Sequence, residues 1–132
     1  MDKKTQQELI FKFSMYEQQI KQLQEQLQAV EQAINDASSL AGGLDELNSG
    51  KDKEILASIG KGIFAKAKLI SDELVVDVGG KNFVTKSIED TQTLIVEQVD
   101  KLDDIKKELE RNLEEINQEL TKTFMEAQGK EQ

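Results

Sequence analysis

Gly60-Lys61-Gly62 is the short motif in this sequence that most invites a chemical reading, as the end of a loop that cradles phosphate. Such a loop also needs glycine at position 55 and a Ser or Thr hydroxyl after the lysine. This chain has Ile55 and Gly62 there, so a tight turn between strands is the better reading. The acid pairs Asp103-Asp104 and Glu114-Glu115 are sequence neighbours on a helical pattern. Neighbours on a helix point about 100° apart, so these are surface charges and not a general acid facing a general base. Histidine and cysteine are both absent. That removes the usual bases, nucleophiles and transition-metal ligands. No catalysis, no cofactor and no metal site are expected.

The elements around these residues explain the composition better than chemistry does. The 132 residues include no proline and only 5% aromatics, whereas 33% are charged. A chain rich in Glu, Lys, Gln and Leu suits long helices more than a compact globule. The formal charge of −9 argues against nucleic acid and anionic membrane as partners, since gripping phosphates calls for a basic face. No run approaches the roughly 20 apolar residues of a membrane span, and the first residues lead into no apolar signal core. With no cysteine to form disulfides, a cytoplasmic location is expected.

From about Lys3 to Ala41 the apolar residues alternate in steps of 3 and 4. Leu9, Phe13, Tyr16, Ile20, Leu23, Leu27, Val30, Ile34, Ala37 and Ala41 form an unbroken heptad seam. Thr5-Gln6-Gln7-Glu8 has the form of a capping box at its start, and Gly42-Gly43 predicts its stop. A second seam spans residues 88–127 through Ile88, Gln92, Ile95, Val99, Leu102, Lys106, Leu109, Leu113, Ile116, Leu120 and Thr123. Ser87-Ile88-Glu89-Asp90 offers it a capping box. Gln92 and Lys106 are polar seam positions that weaken packing but fix register. Two helices of equal length are predicted to return along each other as an antiparallel coiled coil.

Between them, residues 44–86 change character. Glu54–Ile59 and Ile63–Ile70 flank Gly60-Lys61-Gly62, while Leu74–Val78 and Asn82–Lys86 flank Gly79-Gly80-Lys81. Runs of β-branched residues parted by glycines predict two β-hairpins, with Gly60, Gly62, Gly79 and Gly80 at the turns. Their apolar residues are Ile55, Leu56, Ile59, Ile63, Phe64, Leu69, Val75, Val76, Val78, Phe83 and Val84. If the helices pair with each other, nothing in the chain covers these side chains. Completion by other subunits is therefore expected, through edge pairing and closure of an intersubunit β-barrel. The predicted class is mainly α with a small β part, in a single domain spanning 1–132: helix 3–41, hairpins 44–86, helix 87–128.

The run from Glu54 to Ala67, with Val75–Gly80 and Lys86–Asp90, resembles the prefoldin alpha family of archaeal type. The likeness is specific over roughly 40 residues, and the two arms extend it over most of the chain. Family members often carry proline where Ala57 stands and a small residue where Lys61 stands. The resemblance implies a heterohexamer of two alpha-type and four beta-type prefoldin subunits joined by their hairpins. It also implies a holding chaperone that works without ATP, grips unfolded proteins at coiled-coil tips and passes them to a group II chaperonin.

The tips support that mechanism on their own residues. An antiparallel hairpin sets the start of the first helix beside the end of the second. Four of the six aromatic residues, Phe11, Phe13, Tyr16 and Phe124, lie there. Leu9, Ile10, Met15 and Met125 join them, and Ile10, Phe11 and Met15 fall off the seam, where a plain coiled coil carries polar residues. Exposed aromatic and Met side chains bind without demanding one shape. Leu9, Ile10, Phe11, Phe13, Met15, Phe124 and Met125 are thus candidate client contacts. The competing reading is that they cap a fraying coiled-coil end, in a structural adaptor or in a prefoldin-like subunit of a different assembly.

Overall fold

The structure is a computed structural model that describes residues 2–48 and 50–130. Positions 1, 49, 131 and 132 of the expected domain lie outside the described residues. The element order is α1 (Lys3–Leu47), β1 (Glu54–Gly60), β2 (Ile63–Lys68), β3 (Glu73–Asp77), β4 (Phe83–Ser87) and α2 (Ile88–Lys130). Two long helices with two small antiparallel hairpins between them is the architecture expected from the sequence. The chain divides into two compact units. One holds α1 up to Ile34 with α2 from Lys101, and the other is Asn35–Asp100.

In the first unit the helices run antiparallel. Phe13 meets Phe124, Tyr16 meets Glu119 and Glu31 meets Lys106, so numbers rise on one helix as they fall on the other. The apolar seam residues there are half-buried while most of their neighbours face solvent, as the 3–4 spacing predicts. Lys106 on the seam finds Glu31 at 3.8 Å, which compensates part of its cost in that position. Thr123 is buried.

Two expectations about helix ends are corrected. The cap of α1 is Asp2, not Thr5: the Thr5 backbone N–H donates to Asp2 Oδ1 at 2.7 Å. That bond, with one from the Thr5 side chain, holds the Asp2 carboxyl below its ordinary value of 3.8. Thr5 is thus already inside the first turn. At the other end, α1 does not stop at Gly42-Gly43 but continues past Ala41 to Leu47. The seam continues too, because Leu44 and Leu47 keep the spacing and Leu44 is buried. Burying a leucine is worth about 1.5–3 kcal/mol, which offsets the cost of about 2 kcal/mol for the two helical glycines.

The second unit holds the core. Leu44, Ile88 and Ile95 are buried against one another, with Ala37, Ala41, Leu47, Leu74 and Val99 packed around them. Gln92 donates from Nε2 to Asp45 Oδ1 at 2.6 Å, so this polar seam position has a specific partner on α1. Ser87 caps α2 as expected, accepting the Asp90 backbone N–H at 3.0 Å. Thr91, buried off the predicted seam, donates its hydroxyl to the Ser87 carbonyl at 2.8 Å.

Each hairpin forms its own two-stranded sheet. Ile55 pairs with Ala67 and Ala57 with Ala65 on the half-buried face, while Leu56 pairs with Lys66 and Ser58 with Phe64 on the exposed one. The register shifts between Ser58 and Gly60, leaving Ile59 as a bulge. In the second hairpin Val76 faces Val84, and Asp77 faces Phe83. Lys61 and Gly62 turn the first with φ of 51° and 78°, and Gly80 and Lys81 turn the second with 60° and 62°. Positive φ at both central residues is what the two-residue turn of the first hairpin demands, whereas the second connection spans residues 78–82 and is closed by the Asn82 N–H donating to the Gly79 carbonyl at 3.1 Å.

Candidate client and assembly surfaces

Among the described residues, just three apolar side chains are buried, and most of the exposed large apolar side chains gather at two places. The first is the end of the coiled coil where α1 starts and α2 finishes. The heptad seam there needs only Leu9, Phe13 and Tyr16 from α1, and these are half-buried. Phe13 and Phe124 meet at 6.4 Å between ring centres, tilted by 57°. That geometry suits an aromatic pair and closes the end of the seam. Ile10, Phe11, Met15 and Met125 lie outside this closure. Ile10, Phe11 and Met125 are each about two-thirds exposed, and Met15 and Phe124 are exposed as well.

A shallow depression beside Phe13 and Phe124 is lined also by Leu9, Ile10, Gln6 and Gln128. Its wall is apolar with an amide rim, which suits side chains of varied shape. The structure thus brings Leu9, Ile10, Phe13 and Phe124 to one concavity. Phe11, Met15 and Met125 lie outside that depression. No group of acidic side chains among the described residues is set to hold a metal ion. No helix of the described residues is long and apolar enough to cross a membrane.

The second place is the pair of hairpins. Of the predicted assembly residues, Leu56, Ile59, Ile63, Phe64, Val75, Val78, Phe83 and Val84 are exposed, whereas Ile55, Leu69 and Val76 are half-buried. Strand alternation explains the division for Leu56, Phe64 and Val75 against Ile55 and Val76. Ile59 sits in the bulge and Val78 in the turn, where alternation does not govern exposure. Two-stranded sheets are marginal in water by themselves, and these two present open edges.

Sequence reasoning passed over Leu40, Ile70, Val96 and Ile105, all exposed. The signal was available for three of them. Leu40, Val96 and Ile105 are apolar residues on helices that the 3–4 seams leave over. Ile70, exposed in the link between β2 and β3, falls where the strand pattern was expected to continue.

The comparisons with known proteins agree with one another. A family model described as prefoldin subunit matches residues 16–132. The match begins at Tyr16, so Leu9, Ile10, Phe11, Phe13 and Met15 stand outside it. The chain is 26% identical over 111 residues to prefoldin subunit alpha of Methanobrevibacter smithii, covering 83% of this chain and 76% of that one. It is 25% identical over 107 residues to prefoldin subunit alpha 1 of Methanocaldococcus jannaschii, covering 81% and 74%. In fold it is similar to a chain of filamentous PFD from Methanocaldococcus jannaschii, solved by cryo-electron microscopy. There the TM-score is 0.75 at 22% identity, over 86% of this chain and 96% of that one. With two long helices, two intervening hairpins and a family match over most of its length, the chain belongs to the prefoldin family, whose members are chaperone subunits that assemble with one another.

Proposed function

We propose that this chain is an alpha-type subunit that holds unfolded polypeptides at the end of its coiled coil. It works without ATP, in the cytoplasm, and delivers its clients to a group II chaperonin. Its hairpins join it to beta-type prefoldin subunits, two alpha with four beta, in a shared β-barrel. Nucleic acid and membranes are not partners.

The observation that carries the holding role is the exposure of Ile10, Phe11, Met15 and Met125 off the seam. These side chains contribute nothing to coiled-coil pairing, and keeping them in water has a cost that a binding role offsets. Flexible methionine and broad aromatic faces accept clients of varied sequence. The capping reading has its own observation in the Phe13–Phe124 pair, which closes the end of the seam. The two roles therefore divide between different residues.

The test is suppression of aggregation of a chemically unfolded client by the complete assembly. Replacing Ile10, Phe11, Met15 and Met125 by serine should remove most of this chain's share of protection while leaving its helicity and assembly intact. Full protection by that variant would assign the tips to capping and favour an adaptor or a different assembly.

A further inference from the structure

The charge around the exposed apolar side chains differs from that of the neighbouring coiled coil. Residues 1–16 and 119–132 carry five lysines against five acidic residues. The adjoining stretch, 17–34 with 101–118, carries five basic residues against nine acidic ones, among them the exposed Glu25, Glu31, Asp104, Glu108, Glu114 and Glu115. The end of an acidic coiled coil is thus close to neutral.

Four of those lysines stand beside the apolar residues. Lys3 and Lys4 precede Ile10 and Phe11 by two helical turns on the same face, about 10 Å along the axis. Lys12 lies one turn from Met15, and Lys122 one turn from Met125. All four are exposed, and none is ion-paired among the described residues. These spacings match the Debye length of about 10 Å at 0.1 M salt, so a charge flanking a bound segment interacts with them. The partial charges of the two helix ends are opposite in sign here and offset each other.

We infer that the tip selects apolar segments flanked by acidic residues, with Lys3, Lys4, Lys12 and Lys122 as the selecting groups. This rests on the reading of the tip as the client-holding site. A segment flanked by basic residues is repelled by these lysines and attracted along the acidic coiled coil, where among the described residues Ile105 is the one large apolar side chain that is exposed. An acid-flanked segment meets the reverse, which directs it to Ile10, Phe11, Met15 and Met125.

The test uses two labelled peptides with one apolar core, flanked by glutamates or by lysines, and reads fluorescence anisotropy with the full chain in its assembled complex. In low salt the glutamate-flanked peptide should bind about three- to tenfold more tightly, and 1 M salt should abolish the difference. The variant K3Q/K4Q/K12Q/K122Q, at surface helix positions, should keep its helicity and lose the preference. The variant K3E/K4E/K12E/K122E should invert it. Equal binding of both peptides, or a preference that survives neutralisation, would overturn the inference and leave the holding role standing. Binding of neither peptide would sink both.

Discussion

Lys61 and Lys81 occupy left-handed backbone at φ of 51° and 62°, where an L residue costs about 1–2 kcal/mol. The flanking glycines made both turns legible from the sequence. The lysines' own conformation was not, since nothing in a Gly-Lys-Gly run says which of the residues bear positive φ. Glycine at either position removes the steric cost but adds about 0.5–1 kcal/mol of backbone entropy. Lys61→Gly should therefore stabilise the first hairpin by about 0.5–1 kcal/mol, read as a higher thermal midpoint at fixed protein concentration. Gly50 is the opposite case. Its N–H donates to the Leu47 carbonyl at 2.9 Å, and a Cβ there would lie 2.9 Å from that same oxygen and 3.5 Å from Leu69 Cδ2. Gly50→Ala should destabilise by about 1–3 kcal/mol through forced backbone movement, a drop in thermal midpoint that Lys61→Gly does not show. No sequence signal marked Gly50, because its constraint is the close approach of its own backbone to the Leu47 carbonyl at the end of α1.

At the scale of elements, the seams were readable except for the continuation of the first through Leu44 and Leu47. Every apolar residue assigned to them from spacing is half-buried or buried, from Leu9 to Ala41 and from Ile88 to Leu120. The ends were less readable, since local signals compete there with packing. Gly42-Gly43 has the form of a helix stop, but the burial of Leu44 against Ile88 and Ile95 carries the helix through it. A Cβ at either glycine would meet open space. Gly42→Ala and Gly43→Ala should each stabilise the protein by about 0.5–1 kcal/mol in thermal unfolding, with added effects in the double variant. A loss of stability would mean that the helix does not pass through these positions. The cap of α2 was legible because Ser87 and Asp90 lie on a hairpin-to-helix junction with no competing partner. The cap of α1 was not, since Asp2 and Thr5 both carry capping side chains three residues apart.

At the scale of the molecule, the imbalance between buried and exposed apolar side chains carries the functional account. A core of Leu44, Ile88 and Ile95 is small for 132 residues, and eight of the eleven apolar residues singled out in the hairpins face solvent. That deficit was legible in the sequence, because four short strands have no helix left to cover them. The way partners complete the sheets was not, since register across subunits depends on edges that a single chain leaves open. The claim that these surfaces belong to an assembly is tested most directly by the native mass and subunit ratio of the complex that a tagged copy of this chain captures from its own cells. The account predicts two copies of this chain with four copies of a smaller coiled-coil partner. A stable homo-oligomer, or a lone monomer with its hairpins uncovered, would contradict it.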